Sequence, residues 1–304
     1  MIRHIRCNAL GLFVFLISTG FTLVPGLRAQ EPAEQPTPRP SGSGWLWVEQ
    51  FTGSGTNGAG EVMSLTSATG YNFTSHFGLV AGIPVYFIHD SASTASPTSS
   101  DGVGDVFVGL HFSFPNPVLN FRTALTGTAP TGDTSKGLST GHATLDWSNH
   151  FDRRFGRWVP FANLGLANSV PDTLFDQRQY TSYGYVAHFQ VGTSLRILRP
   201  LSAVASAYDI EPWGAQTVVS RIVGVGAPGP LGPLAGVPFF EQSHLITGGA
   251  SLTRDDGFSA GLDAGFASFF DVWAGYSHSL PLNLNTVSIG VGVNVMNALR
   301  HANE

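Results

Sequence analysis

Charge is the first thing this sequence is short of: only 12% of its 304 residues are Asp, Glu, Lys or Arg, about half the share usual in a soluble globular domain. Lysine occurs once, at Lys136, and methionine three times. With so few helix-favouring residues, a helical protein is not expected. No block of Lys or Arg is present and the formal charge is −5, so a nucleic-acid backbone finds no electrostatic footprint. The single cysteine, Cys7, precedes the first apolar stretch and leaves with it on cleavage. That excludes a lipoprotein acylation site, a disulfide framework and a thiolate metal site in the mature chain. From Trp45 onward no apolar run approaches 18 residues, so any membrane crossing there must be made by strands.

What is abundant is glycine, with 37 residues, and aromatics, with 22 Phe, 7 Tyr and 6 Trp. Residues 1–29 have the layout of a secretory signal peptide: Arg3 and Arg6, an apolar stretch from Ala9 to Val24, then Pro25-Gly26 and Ala29. Residues 30–44 are rich in Pro and then in Gly and Ser, a leader with nothing from which to build a core. The remainder, 45–304, reads as one domain.

Its organising signal is period two. Val106, Val108, Leu110, Phe112 and Phe114 alternate with Asp105, Phe107, Gly109, His111 and Ser113. Tyr183 to Ile197 repeats the pattern over fifteen residues, long against the ~5–6 of an ordinary strand. The segments 45–52, 61–73, 77–87, 118–127, 142–151, 157–168, 201–210, 244–253, 257–266, 271–280 and 287–295 complete a set of thirteen candidates. Short turns, as at 74–76, 115–117, 152–156 and 198–200, alternate with longer loops at 89–102, 129–141, 169–181 and 211–243. A meander with this asymmetry is the plan of an up-and-down antiparallel transmembrane β-barrel. A soluble sandwich would also alternate, but its exposed face should carry Lys, Glu and Thr rather than Gly and Ser. Apolar-face aromatics near strand ends, at Tyr71, Phe73, Phe77, Phe87, Tyr183 and Tyr185, suit interfacial girdles. An even strand number is required, so about 12 strands are expected, with either 45–52 outside the wall or 257–296 wrongly divided. Pro84 inside a strong strand predicts a bulge or local edge.

Gly102-Val103-Gly104-Asp105 opening a strand, Ala129-Pro130-Thr131-Gly132-Asp133 closing the next, Gly141 opening another and Phe161-Ala162-Asn163-Leu164-Gly165 beyond it resemble the core of the family named for the MetA pathway of phenol degradation. The resemblance implies an outer-membrane β-barrel transporter, of a kind often encoded beside genes for breakdown of aromatic compounds. It covers about residues 60–296, its specific part being 102–165. The chain departs from that pattern by ending Ala302-Asn303-Glu304, without a terminal Phe.

With apolar faces towards lipid, the lumen receives Asp105, His111, Arg122, Asp146, His150, Asn163, His188, Gln190, Arg196 and Asp263. They either line a pore or pair into a network that holds a narrow barrel together. The long loop 211–243, with Phe239-Phe240 and Val218, Val219 and Ile222, is expected either to fold inward as a constriction or to lie outside as a lid. His111-Phe112-Ser113 has the spacing of a lipid deacylase, but alternation sends His111 and Ser113 inward, away from lipid substrate, so no enzyme is expected. The histidines form no HExxH or close pair, so no metal or other cofactor is called for, though His142, His150 and His188 could converge across strands. The reading is a monomeric outer-membrane barrel of a Gram-negative-type bacterium, surrounded by lipid, passing small hydrophobic or aromatic solutes. The alternative is a structural or surface-interaction barrel with a filled lumen.

Overall fold

Strands form where the alternation predicts them, because each places β-branched and aromatic residues on one face and small residues on the other. The structure is a computed structural model describing residues 43–57, 59–90, 101–173, 175, 177–222, 245–267 and 269–302. The expected signal peptide, nearly all of the leader, and Phe239 and Phe240 lie outside the described residues.

In chain order the strands are β1 (Gly44–Thr56), β2 (Gly60–Asn72), β3 (Phe77–Asp90), β4 (Gly102–Val103), β5 (Val106–Phe114), β6 (Asn120–Ala129), β7 (Thr144–Asp152), β8 (Trp158–Ala167), β9 (Tyr180–Tyr183), β10 (Val186–Arg196), β11 (Leu201–Pro212), β12 (Gln216–Ser220), β13 (Leu245–Gly248), β14 (Asp255–Ala267), β15 (Phe270–Ser279) and β16 (Leu284–Asn294). A helix, α1 (Val295–Ala302), follows. Twelve strands close into an antiparallel barrel in the order β1, β2, β3, β5, β6, β7, β8, β10, β11, β14, β15, β16, with β16 pairing back onto β1. Such closure satisfies every edge, which is what allows a sheet to stand in hydrocarbon. No described helix is long and apolar enough to cross a membrane.

Three expectations are corrected. The surplus candidate is 244–253, not 45–52 or 257–296: β13 lies outside the wall, in a small sheet with β12 and β9. The fifteen-residue strand is two, divided at Gly184, whose φ of +151° and closeness to Gln216 exclude a side chain. Tyr183 therefore belongs to β9, half-buried and stacked on His142 at 4.5 Å, rather than to a girdle. The last strand ends at Asn294, whose side chain accepts from the Asn297 amide and opens α1.

Pro84 marks a local edge. β3 pairs with β5 only as far as Gly82 and with β4 from Val85, so the proline falls where that ladder is interrupted.

Connections differ between the two ends. The turn end has 73–76, 115–119, 153–157 and 197–200, together with α1; the loop end has 130–143, 168–185 and the long stretch after Pro212. The outer wall exposes Leu79, Val108, Phe112, Phe189, Val191, Leu262, Val287 and Ile289, while Ser54, Ser64, Ser194, Ser206, Ser259, Ser277 and Ser288 are buried inside. This inverts the soluble arrangement and fits an apolar band facing lipid. Near the turn end Trp45, Tyr71, Phe73, Phe77 and Phe112 form a chain of rings with successive centroids 5.4, 5.4, 5.1 and 4.7 Å apart, an interfacial girdle. Glu49 is a carboxylate on this apolar wall, and it accepts from Trp47 Nε1 at 2.6 Å and from Ser67 Oγ at 2.7 Å.

Candidate functional site

The lumen is the candidate site, and a loop that sequence reasoning took for an ordinary connection decides its shape. Segment 168–185 joins β8 to β10, which are neighbours in the wall. Instead of bridging them directly, it crosses the barrel to the opposite side. There Gln177 Nε2 donates to Ser64 Oγ at 2.7 Å and the Gln177 carbonyl accepts from Ser54 Oγ at 3.2 Å, both on strands β1 and β2. Gln179 donates to Thr56 Oγ1. Ser288 Oγ, on β16, donates to the Phe175 carbonyl at 3.3 Å. Small wall residues make this possible: a Cβ at Gly261 or Gly275 would run into the Phe175 ring. The segment thus spans the seam between β1 and β16 on the inside.

Arg178 is its electrostatic anchor. Its Nη1 donates to Asp255 Oδ2 at 2.8 Å, and Asp255 also accepts from Ser279 Oγ at 2.6 Å and Tyr208 OH at 3.3 Å. A buried carboxylate needs such a set of donors. Arg221, just past β12, donates through Nη1 to the Arg178 carbonyl at 2.7 Å, pairs with Asp172 at 3.8 Å and lies 4.4 Å from the centre of the Tyr86 ring. Around these polar ties Val62, Ile88, Leu138, Val170, Tyr180, Val186, Ile210, Val218, Ile222 and Leu284 form one buried apolar cluster. Val218 and Ile222, from the described part of loop 211–243, belong to this cluster, and β12 pairs there with β9 of the 168–185 segment. A cavity of about 20 Å³ remains beside Arg178 and Asp255, space for about one water.

Below this plug the lumen has an aromatic layer. Phe161 of β8, Val204 of β11 and Trp273 of β15 meet Phe175 of the inward loop, all buried. The Trp273 ring covers Gly290, where a Cβ would overlap it.

The candidate pore residues separate into groups. His150, Asn163 and Gln190 join a hydrogen-bonded arc: Asn120 Nδ2 donates to Asp152 Oδ2 at 2.9 Å, His150 pairs with Asp152 at 3.3 Å and with Asn163 Oδ1, Asn163 Nδ2 donates to Gln190 Oε1 at 2.8 Å, and Gln190 Nε2 donates to Ser206 Oγ at 2.9 Å. Ser206 and Ser259 hydroxyls continue it at 2.8 Å. The arc runs from β6 to β14, half the ring. His188 pairs with Asp146 at 3.1 Å, and His111 meets Asn72 Oδ1 at 3.2 Å. Arg122 aligns with His150, and Arg196 and Asp263 align with Ser202 from its two sides. Asp105 is not on the strand: its carboxylate accepts from the Gly132 amide at 2.9 Å and Ser139 Oγ at 3.0 Å, tying one loop to the next. His142, His150 and His188 each have a different partner, and among the described residues no group of three metal-ligating side chains occurs.

Two groups outside the strands have displaced titration. The Ser135 hydroxyl and amide hold the Asp133 carboxyl below its usual range. Burial, and the Arg196 guanidinium near it, lower that of Arg154 in the β7–β8 turn.

The region that joins Gly102–Asp105, Gly132-Asp133 and the Phe161–Gly165 strand is thus a continuous piece of barrel wall with its loop ties. Residues 48–172 match the family described as "Putative MetA-pathway of phenol degradation". The MetA-type match covers less than half of the chain, from β1 through β8, and stops at Asp172 inside the inward loop. Phe175 and Gln177 to Gln179, which make the contacts across the barrel, lie beyond it. Among solved structures, an outer membrane channel from Pseudomonas putida F1 aligns over 90% of this chain and 100% of its own, at 13% identity and a TM-score of 0.51. This likeness shows the fold, an outer-membrane type of β-barrel. KdgM porin covers 81% of this chain and 98% of its own at 8% identity and a TM-score of 0.45, and NanC porin gives the same figures. No curated protein matches.

What sequence reasoning missed is the segment 170–182. Its signal was present but unlike a strand: a polar triplet, Gln177-Arg178-Gln179, inside a loop of a chain poor in charge.

Proposed function

We propose that the protein is an outer-membrane channel for small solutes, held shut in its resting state by the inward loop 168–185. The observation that carries this reading is the crossing loop itself. Barrels of about 8 strands fill their lumen with wall side chains, whereas much wider ones leave an aqueous channel. Twelve strands fall between, and here a separate segment lies in the space on hydrogen bonds and two ion pairs, Arg178–Asp255 and Asp172–Arg221. The aromatic layer of Phe161, Phe175, Val204 and Trp273 favours apolar or aromatic solutes. The loop end faces outside and the turn end the periplasm of a Gram-negative-type cell, the barrel working as a monomer without cofactor. His111 is engaged by Asn72 in the interior, which argues against a lipid-facing hydrolytic pair.

The alternative, a structural barrel that transports nothing, is favoured by the size of the apolar cluster at the loop end. Planar-bilayer conductance separates the two. Replacement of residues 171–181 by a short Gly/Ser linker, in protein whose gel mobility remains heat-modifiable as for folded barrels, should give clearly larger unitary currents than the native chain. Equal, negligible currents from both would establish the filled barrel instead.

A further inference from the structure

We propose that the turn end of the outer wall between β7 and β11 binds an anionic phospholipid, its phosphate held by Arg153, Arg157 and Arg199 and its chains lying against Phe155, Trp158 and Leu198. Aromatic rings set the depth of this surface in the membrane. Phe114 of β5, Phe121 of β6 and Phe151 of β7 follow one another around the outer wall with centroids 5.9 and 5.0 Å apart, and belts of this kind lie at the level of the lipid headgroups. Asp152 is buried on the lumen side, so alternation returns Arg153 to the outer face, about 7 Å farther toward the turn than Phe151. The phosphates of the leaflet at the turn end lie at that depth.

Two neighbouring turns build the surface. In the β7–β8 turn the Phe155 amide donates to the Trp158 carbonyl at 2.7 Å and the Trp158 amide to the Phe155 carbonyl at 3.0 Å, a tight hairpin that leaves both rings exposed. The Arg153 guanidinium lies over the Phe155 ring, 4.8 Å from its centre. Such stacking uses the face of the guanidinium and leaves its in-plane N–H groups for oxygen. The Arg196 amide donates to the Arg157 carbonyl at 2.9 Å, which sets the β10–β11 turn, with Leu198 and Arg199 exposed, against the first. Apart from the ring under Arg153, the side chains of Arg153, Arg157 and Arg199 have no partner among the described residues. Residues 153–160 and 196–200 contain no Asp or Glu, and Asp152 is engaged inside by Asn120 and His150. An apolar shelf rimmed by free guanidinium groups is complementary to a phosphate diester with hydrocarbon behind it. The Trp45–Phe112 girdle, by contrast, has no Lys or Arg within residues 45–121, so the arginines of the turns are gathered on one arc.

The test titrates the full, folded chain in detergent with dioleoyl phosphatidylglycerol, dioleoyl phosphatidylcholine or glycerol 3-phosphate and counts bound molecules by native mass spectrometry. Phosphatidylglycerol should bind saturably and about tenfold or more tighter than phosphatidylcholine at low salt, and the difference should shrink as salt rises. Glycerol 3-phosphate, the headgroup without chains, should not bind saturably. Arg153→Gln, Arg157→Gln and Arg199→Gln together, in protein still heat-modifiable on a gel, should bring the two lipids within about twofold of each other. Replacement of the same three residues by Lys should keep most of the preference, and Arg254→Gln at the loop end should leave it unchanged. Equal binding of the two lipids, equal binding of glycerol 3-phosphate, a preference undiminished in the triple Gln variant, or one lost equally in Arg254→Gln would each overturn the proposal. The measurement reads binding and not current, so its outcome is separate from that of the channel reading.

Discussion

Arg178 and Asp255 meet at 2.8 Å with only 4% and 1% of their side chains exposed, one on the loop that crosses the lumen and the other at the first position of β14. Breaking one partner of such a buried pair costs about 3–5 kcal/mol, because the remaining charge is stranded. Arg178→Ala should therefore lower the temperature at which the folded band converts on a gel. Arg178→Met combined with Asp255→Leu should recover much of the loss. A single variant that melts like the native protein would mean that the pair does not anchor the loop.

Trp273 lies against Gly290 on the neighbouring strand, leaving no room for a Cβ. Gly290→Val should destabilise the barrel by about 1–3 kcal/mol through overpacking, and Trp273→Ala should relieve it. Urea titrations of the single and double variants measure the coupling. Additive effects would show that the ring and the glycine are not in conflict.

Phe189 is exposed on the outer wall, whereas its neighbour Gln190 is held in the interior arc between Asn163 and Ser206. Phe189→Arg should cost about 2–4 kcal/mol if it lies near the bilayer midplane. Gln190→Glu should assemble, since a carboxylate can accept from both neighbours. Folding yield into vesicles checks this; similar yields for both changes would refute the assigned faces.

Asp133 caps a short turn of 3-10 helix by accepting from the Ser135 amide at 2.8 Å. Its carboxyl is held low, first by the Ser135 hydroxyl and amide. A group depressed in the folded state contributes fully above the ordinary carboxylate value of about 3.9 and loses that contribution as pH falls through the folded value. Proteolysis within 131–141 by an acid-active protease should accelerate below that range in the native chain, while Asp133→Asn should show no such acid-dependent rise. A native loop equally resistant at pH 2 and pH 5 would exclude the cap as a local lock.

The wall was legible because two faces with opposite demands leave a period-two record: Val106 to Phe114 and Val287 to Val293 needed no tertiary information. The inward assignment of His150, Asn163 and Gln190 came from the same parity. Parity failed where the chain left the wall. Tyr183 kept the alternation of the strand beyond Gly184, so β9 and β10 looked continuous, and Leu245 to Gly248 alternated well enough to pass for a barrel strand. The crossing loop has no period at all. Its path is set by partners far away in sequence, with Ser54 and Gln177 123 residues apart, so the triplet Gln177-Arg178-Gln179 marks a polar role without telling where it docks.

The straddling of the β1–β16 seam by Phe175 and residues 177–179 imposes an order of events. Ser54, Ser64 and Thr56 belong to the first two strands, and Asp255 and Ser288 to strands near the end of the chain. These partners come within reach of one short segment only when the first and last strands have found each other. Docking of Gln177, Arg178 and Gln179 is then among the final acts of maturation, a clasp fastened after the garment is closed. The same clasp resists any sideways parting of β1 from β16, so a solute leaving directly into lipid through that seam would first have to undo it.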